Sequence, residues 1–331
     1  MQPEVFDRLL RSGAPDVAKV AGQVARRRPR FVLLAGRGTS DHAAVYAKYL
    51  VEVRLGLPAG LVSPSTMTVY GARPDLRDVL FCAVSQSGGS PDLVDSLAAA
   101  RSAGALTLAV TNNPSSPLAG QAELHVDVRA GTERAVAATK TYTAELLALY
   151  LLVEGIRGGD PAGSAAALPR LAADALDRDE TVARIAARYR FADRLVTTAR
   201  GYSYPTAREA ALKLMETSYL SAQAFSGADL LHGPMAMVDQ VMPVVAIVSG
   251  GAGGAAMAPV VWRLRERGAD LVVVGGSASS VEADVVLPPV DEVLAPLLEI
   301  LPLQRLAWHV AVGRGVDPDH PRGLTKITET W

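Results

Sequence analysis

The stretch Val79-Leu80-Phe81-Cys82-Ala83-Val84-Ser85-Gln86-Ser87-Gly88-Gly89-Ser90-Pro91-Asp92 opens as a continuous apolar run and stops abruptly in hydroxyls and glycines. A short run of this kind, bounded by turn signals, suits a strand buried in a parallel sheet. The helix-compatible Pro91-Asp92-Leu93-Val94-Asp95-Ser96-Leu97 follows directly. Ser85, Gln86, Ser87, Gly88, Gly89 and Ser90 are therefore expected at the carboxyl end of a strand and the amino end of a helix. There, free backbone N–H groups and the helix dipole favour an anion, and short hydroxyls add donors without bulk. A dianionic phosphate suits those donors, although an ordinary Ser/Gly-rich turn between strand and helix has the same composition.

Upstream lies a second junction of the same kind. Arg30 to Ala35 is expected to be a strand, followed by Gly36-Arg37-Gly38-Thr39-Ser40-Asp41 and a helix from about His42 to Val53. The junction lacks the third glycine of a dinucleotide fingerprint and the lysine of a P-loop, so it is a weak nucleotide signal. Thr39 and Ser40 could reach the same phosphate as the Ser85 loop if the two strands are neighbours. Residues 1–29 are expected to be helical, ending in Arg26-Arg27-Arg28-Pro29-Arg30, which is read as a solvated helix end. A further strand, Leu106 to Thr111, follows the helix that ends at Gly104. Alternating strand and helix predicts an open parallel sheet, with its ligand at the carboxyl ends of the strands.

The second half repeats the first. Phe31 to Gly38 lies over Arg194 to Gly201, and Pro243 to Gly250 falls over the strand and loop around Ser85. Ala103-Gly104-Ala105 falls over Arg267-Gly268-Ala269, each leading into an apolar strand. The fold class is thus α/β, with two tandem doubly wound, flavodoxin-like domains. The first is expected over 1–155, a helical linker over 156–190, the second domain over 191–312 and a tail over 313–331. Ser249-Gly250-Gly251-Ala252-Gly253-Gly254 keeps a single hydroxyl, so only the first copy is expected to hold phosphate.

Composition narrows the classes. The 331 residues are 49% hydrophobic and 20% charged, with a net charge of −1. Such a chain can bury a large core and offers no basic field for nucleic acid. The amino terminus has no apolar signal-like segment, and no long stretch free of charges and helix breakers is present, so a soluble cytoplasmic protein is expected. Cys82 is the single cysteine; lying inside the apolar strand, it reads as a buried structural thiol rather than a nucleophile. The five histidines have no ligand spacing, and no metal or cofactor is expected.

In the second copy, Glu209, Lys213 and Glu216 recur at i, i+4 and i+7 and so share a helix face. A solvated surface ladder is the common form of this pattern. Against that stand the start of the helix at the repeat's ligand-facing junction and His232 in the turn His232-Gly233-Pro234 further on. A carboxylate, an ammonium and an imidazole converging on a strand-end crevice would make an acid/base set, although a lone histidine is more often structural.

These residues together resemble the isomerase half of glucosamine-6-phosphate synthase, which is built from two sugar-isomerase (SIS) domains. The carriers are Gly38-Thr39-Ser40, Ser85-Gln86-Ser87-Gly88, Ala137-Ala138-Thr139-Lys140, Gly201 to Glu216, His232-Gly233-Pro234 and Asp319-His320-Pro321-Arg322-Gly323-Leu324-Thr325-Lys326. The resemblance implies phosphate or substrate contacts at Thr39, Ser40, Ser85, Gln86, Ser87, Ser90, Val136 and Ala138. It implies that Glu216 is the base that moves a proton between sugar C1 and C2, with support from Glu209 and Lys213. His232 would open the sugar ring and reach a neighbouring subunit's site, which implies a homodimer, and Lys326 would form an imine with the open-chain sugar. That division of labour makes chemical sense: an imine is a better electron sink than a carbonyl, and a positioned carboxylate can take the proton.

The chain also departs from that family. It starts at Met1 without a glutaminase-like segment, so it is expected not to draw ammonia from glutamine. Ala138 stands where the synthase has a phosphate-binding serine. Gly89-Ser90-Pro91-Asp92 resembles the stand-alone relatives that break down hexosamine and fructosamine phosphates. The favoured expectation is isomerisation of a 2-amino-2-deoxyhexose 6-phosphate coupled to loss of ammonia. Two alternatives stay open: elimination of the C3 substituent of an N-acetylhexosamine 6-phosphate, and sugar-phosphate sensing without catalysis.

Overall fold

The structure, a computed structural model, describes residues 1–277, 279 and 281–325. The described residues divide into two units, one of 1–133 with 138–169 and Thr325, the other of 134–137 with 170–324.

In the first unit the strands are β1 (Phe31–Ala35), β2 (Ala59–Leu61), β3 (Val79–Ser85), β4 (Leu106–Thr111) and β5 (Leu124–Asp127). Its helices are α1 (Gln2–Arg8), α2 (Ala14–Arg27), α3 (Thr39–Leu50), α4 (Pro64–Thr68), α5 (Pro91–Ser102), α6 (Pro117–Gln121), α7 (Lys140–Arg157) and α8 (Pro161–Ser164). The division falls within α9 (Leu168–Leu176). The second unit has α10 (Asp179–Tyr189), β6 (Arg194–Ala199), α11 (Tyr204–Ser218), β7 (Ser221–Ser226), α12 (Gly227–Leu231) and β8 (Pro243–Val248). It continues through α13 (Gly251–Ala255), α14 (Ala258–Glu266), β9 (Asp270–Gly276), β10 (Val285–Leu287) and α15 (Ala295–Gly313).

The two sheets run in the orders β2-β1-β3-β4-β5 and β7-β6-β8-β9-β10, which are the same order counted from each unit's first strand. All their pairings are parallel. This is the doubly wound order in which the winding reverses between the first and third strands, leaving a crevice above that pair. The match extends to the turn before the fourth strand. Gly104 and Gly268 both adopt positive φ, at 93° and 68°. The next residue then bonds five residues back in each copy, Ala105 N–H to the Ala100 carbonyl and Ala269 N–H to the Leu264 carbonyl, both at 3.1 Å. Glycine ends each helix because its left-handed turn carries no Cβ penalty.

Each sheet is wrapped on both sides, which is why its central strands are apolar throughout. In the first unit, alternate residues point to opposite faces: Phe81 and Ala83 pack with Leu93 and Leu97 of α5, while Leu80 and Cys82 face the other side. The second unit is built alike, with Val244 and Ala246 of β8 packing with Val260 and Leu264 of α14.

Two boundaries differ from the sequence reading. The expected helix over 1–29 is α1 and α2 joined by a π-helical turn at Leu9–Gly13, where Ala14 N–H reaches back to the Leu9 carbonyl. Pro15 follows and has no N–H to continue the α pattern, so the wider turn absorbs the missing bond. The helix expected from His42 starts at Thr39. Gly38, at φ 53°, makes the turn and puts Thr39 and Ser40 in the helix's first turn. The stretch 156–190 holds the end of α7, then α8, α9 and α10, and Gly158 at φ 88° ends α7 ahead of the Asp160-capped α8. No helix among the described residues is long and apolar enough to cross a membrane.

Candidate active site

In the first unit, β1 and β3 are adjacent, with Ala35 opposite Ala83, so the loops that leave them lie at the same edge. The Ser85 loop is shaped by its own hydroxyls. Ser85 Oγ accepts from Gly88 N–H at 3.1 Å, and Ser87 Oγ accepts from Gly89 N–H at 3.2 Å. Gly88 sits at φ 64°, and a Cβ there would come within 2.2 Å of Ser116 Oγ, so no larger residue fits. Ser90 is the N-cap of α5, and its side chain makes no capping bond. The Ser85 and Ser87 hydroxyls thus act as acceptors within the loop, which leads into the amino end of a 12-residue helix.

Sequence reasoning assigned no role to the cation at this edge. Arg37, in the loop after β1, donates from Nε to Asp92 Oδ2 at 2.7 Å and from Nη2 at 2.5 Å. Asp92 is buried in the first turn of α5, whereas Arg37 is half exposed. The pair ties the loop after β1 to the first turn of α5 and neutralises the buried carboxylate. The signal was present in Arg37 and Asp92 themselves, but 55 residues separate them and only strand order makes them neighbours. Ser40 is buried, and its hydroxyl donates to Glu145 Oε1 of α7 at 2.9 Å. Thr39 is half-buried in the same first turn. Ala138 is buried and grouped with the first unit; Val136 is half-buried and grouped with the second. Glu133 accepts the backbone N–H groups of Thr139 and Thr141 at 3.2 and 2.9 Å, occupying the amino end of α7 with a carboxylate.

The corresponding loop of the second unit already holds an anion. Glu292 accepts from Ala252 N–H at 2.9 Å and Gly253 N–H at 2.7 Å. A Cβ on Gly251 would lie 2.1 Å from that carboxylate. The repeat thus retains donors of the same kind in both copies and fills one of them with its own side chain.

On α11, Glu209, Lys213 and Glu216 form a continuous line. Lys213 Nζ lies 3.3 Å from Glu209 Oε1 and 2.5 Å from Glu216 Oε2. The side chains of Glu209 and Lys213 are 0% and 2% exposed, and that of Glu216 is 22% exposed. A solvated ladder is ruled out by these values: buried charges persist only when paired. Burial is the largest influence on Lys213 and lowers its pKa, but the two carboxylates outweigh it and hold the ammonium above its ordinary value. The line therefore runs from a buried anion through a buried cation to a carboxylate with access to solvent.

His232 follows α12, exposed to solvent, and its backbone N–H is bonded to the Asp229 carbonyl at 3.0 Å. No hydrogen bond or ion pair joins its ring to the α11 line among the described residues. The tail returns to that helix, with Arg322 N–H donating to Tyr219 Oη at 2.9 Å and its guanidinium 4.1 Å from the centre of the Tyr219 ring. Lys326 lies outside the described residues. Sequence reasoning also missed Glu299 of α15, which is fully buried and accepts from Ser203 Oγ at 2.9 Å and Thr206 Oγ1 at 3.5 Å. Burial, chiefly, pushes its carboxyl up to about 8, assisted by the charge of Glu292. An i, i+3 or i+4 partner would have marked it in the sequence, but its partners are 96 and 93 residues away.

Comparison with known proteins gives a consistent result. The SIS domain family profile matches residues 27–155 and 189–311. The chain is 36% identical over 317 residues to a glutamine–fructose-6-phosphate aminotransferase (isomerizing) of Methanothermobacter thermautotrophicus, covering 94% of the chain and 52% of that protein. The chain spans about half the length of the aminotransferases it matches. Among solved structures, a protein of Silicibacter pomeroyi described provisionally as a phosphosugar isomerase superposes with a TM-score of 0.87 at 38% identity, covering 96% and 97% of the two chains. The C-terminal domain of the glucosamine-fructose-6-phosphate aminotransferase of Francisella tularensis also gives 0.87, at 26% identity and covering 97% and 95%.

Proposed function

The chain belongs to the SIS domain family, is related to sugar-phosphate isomerases, and on that premise we propose that it converts a 2-amino-2-deoxyhexose 6-phosphate to the ketose phosphate with release of ammonia. The observation that carries the reading is the α11 line, in which Glu216 alone has access to solvent while Glu209 and Lys213 are buried behind it. A protein that merely bound sugar phosphates would gain nothing from two buried charges whose desolvation costs several kcal/mol each.

In this reading the Ser85 to Ser90 loop holds the phosphate, through Ser85, Gln86, Ser87 and Ser90, and the ring opens to the 2-amino aldehyde. His232, exposed to solvent, assists that opening from a neighbouring copy of the chain, as the resemblance to the synthase's isomerase half implies. Glu216 takes the C2 proton and a proton is returned to C1, so the aldehyde and amine become an alcohol and a C2 imine. Lys213 orients Glu216 through their ion pair. The amine of Lys326 then exchanges with the C2 imine nitrogen, releasing ammonia, and water hydrolyses the lysine imine to the ketose. Arg322, held on Tyr219, leaves Lys326 a four-residue tether, at most about 14 Å when extended. Cys82 is buried, with its thiol pushed up to about 12 by burial, so it supplies no thiolate for glutamine hydrolysis.

The test is a panel of hexosamine 6-phosphates, free and N-acetylated, followed for ammonia and for ultraviolet-absorbing enal. Ammonia from the free amino sugars is the expected result. Enal from the N-acetylated sugars without ammonia would replace deamination by elimination through the same base. Saturable binding with no turnover of any sugar would leave only sensing.

A further inference from the structure

The side of the first sheet that faces away from α5 borders a partly open cavity of about 220 Å³. Its floor is Val32 and Leu34 of β1 with Leu80 and Cys82 of β3, and Val51 and Leu55 form part of its wall. Those two belong to a π-helical turn, Val51–Leu55, that extends α3 and ends at Gly56 with φ 65°. Such turns break the regular ladder and are frequent at functional sites. The cavity is larger than the roughly 150 Å³ void lined by Leu, Ile and Phe that stays dry and takes up benzene or xenon. It lies within the first unit, on strand faces opposite the α5 core, and none of its lining residues belongs to the Ser85 loop.

Arg28 is the one charged residue in the lining. It is exposed and is the left-handed C-cap of α2, at φ 50° and ψ 56°, a position where glycine is favoured. Strain of this kind, kept in a residue with an alternative, collects at ligand sites. Arg26, Arg27 and Arg30 flank it, all exposed. None of the four arginines has an ion pair with a described residue. The basic run at 26–30, read from the sequence as a solvated helix end, thus has one member at the edge of an aliphatic pocket.

We infer that this cavity is a binding site for a small anionic amphiphile, an alkyl carboxylate whose chain enters the aliphatic pocket while its head meets Arg28. The cavity removes the chain from water, and the guanidinium offers a two-pronged partner to the carboxylate. The same pocket without the cation would take an uncharged chain equally well, so the charge is the element of selectivity.

The full chain is titrated with sodium octanoate and, separately, with 1-octanol, by calorimetry and by thermal denaturation. Saturable octanoate binding and a rise in melting temperature are expected. Arg28→Gly suits the left-handed backbone and removes the charge; it should weaken octanoate about threefold to tenfold and leave octanol unchanged. Ala25→Phe, from the half-buried edge of the lining, should weaken both ligands. Absence of saturable binding to the wild-type chain with an unchanged melting temperature overturns the inference, whether or not the variants fold. Equal effects of Arg28→Gly on octanoate and octanol overturn the role given to Arg28. Both readouts are independent of catalysis, so a failed amino-sugar assay leaves this result standing.

Discussion

Glu216 is the residue on which the proposed chemistry turns. Isomerisation, deamination and elimination all begin with loss of a proton from carbon, so they share one base. Glu216→Gln keeps shape and hydrogen bonding but cannot take that proton; turnover should fall by about 10² to 10⁴ with sugar-phosphate binding nearly intact. Wild-type turnover in that variant, measured by steady-state kinetics, would return the α11 line to a purely structural role. Glu299 makes a separate prediction, about stability. Its folded-state pKa of about 8 lies above the ordinary 4.5, so the folded chain binds the proton more tightly than the unfolded one. The resulting contribution is fully present below about pH 4.5, is lost as pH rises towards 8, and then levels off. Melting curves between pH 5 and 8.5 should show a steeper loss in the wild type than in Glu299→Gln, by a few kcal/mol at most. Parallel curves would mean that Ser203 and Thr206 already satisfy the ionised carboxylate.

At the scale of elements, α11 combines roles that conflict. Its interior carries Glu209 and Lys213 where apolar residues would pack more cheaply, and their pairing holds only while all three charges are present. Lys213→Met should therefore destabilise the chain by about 3 to 5 kcal/mol, because it removes a buried cation that pairs with two carboxylates; chemical denaturation would read this directly. A loss below about 1 kcal/mol would mean that the Lys213 ammonium contributes little to holding the α11 line together. The two strand-end loops make a second contrast. Ser87→Ala should weaken sugar-phosphate binding by about 1 to 3 kcal/mol, whereas Glu292→Gln should leave it unchanged, since the second loop's donors serve an internal carboxylate. Comparable losses in both variants, by calorimetry with a hexose 6-phosphate, would assign phosphate to both copies.

At the scale of the whole molecule, the proposed reach of His232 into a neighbouring copy, which rests on the family resemblance, predicts shared sites. Mixing inactive His232→Ala with inactive Glu216→Gln, followed by subunit exchange, should restore part of the activity; an active monomer would rule this out. The sequence by itself determined the repeat. Apolar strands at 31–35, 79–85 and 106–111, with partners at 194–199, 243–248 and 270–276, are legible because buried parallel strands are apolar on both faces and cannot be mistaken for solvent-exposed segments. The edge strands β2, β5, β7 and β10 were not singled out: three have three or four residues and β7 is half polar, so their pairing depends on a neighbour rather than on their own composition. Helical spacing likewise placed Glu209, Lys213 and Glu216 on one face, but spacing is blind to which face is covered, and only packing turned a solvated ladder into a buried charge line. The Arg37–Asp92 tie, the Glu292 carboxylate in the second loop and the Glu299 cluster were decided by tertiary structure alone. Each joins residues between 39 and 96 positions apart, and a hydrogen bond, unlike a hydrophobic period, leaves no mark along the chain until folding brings its two ends together.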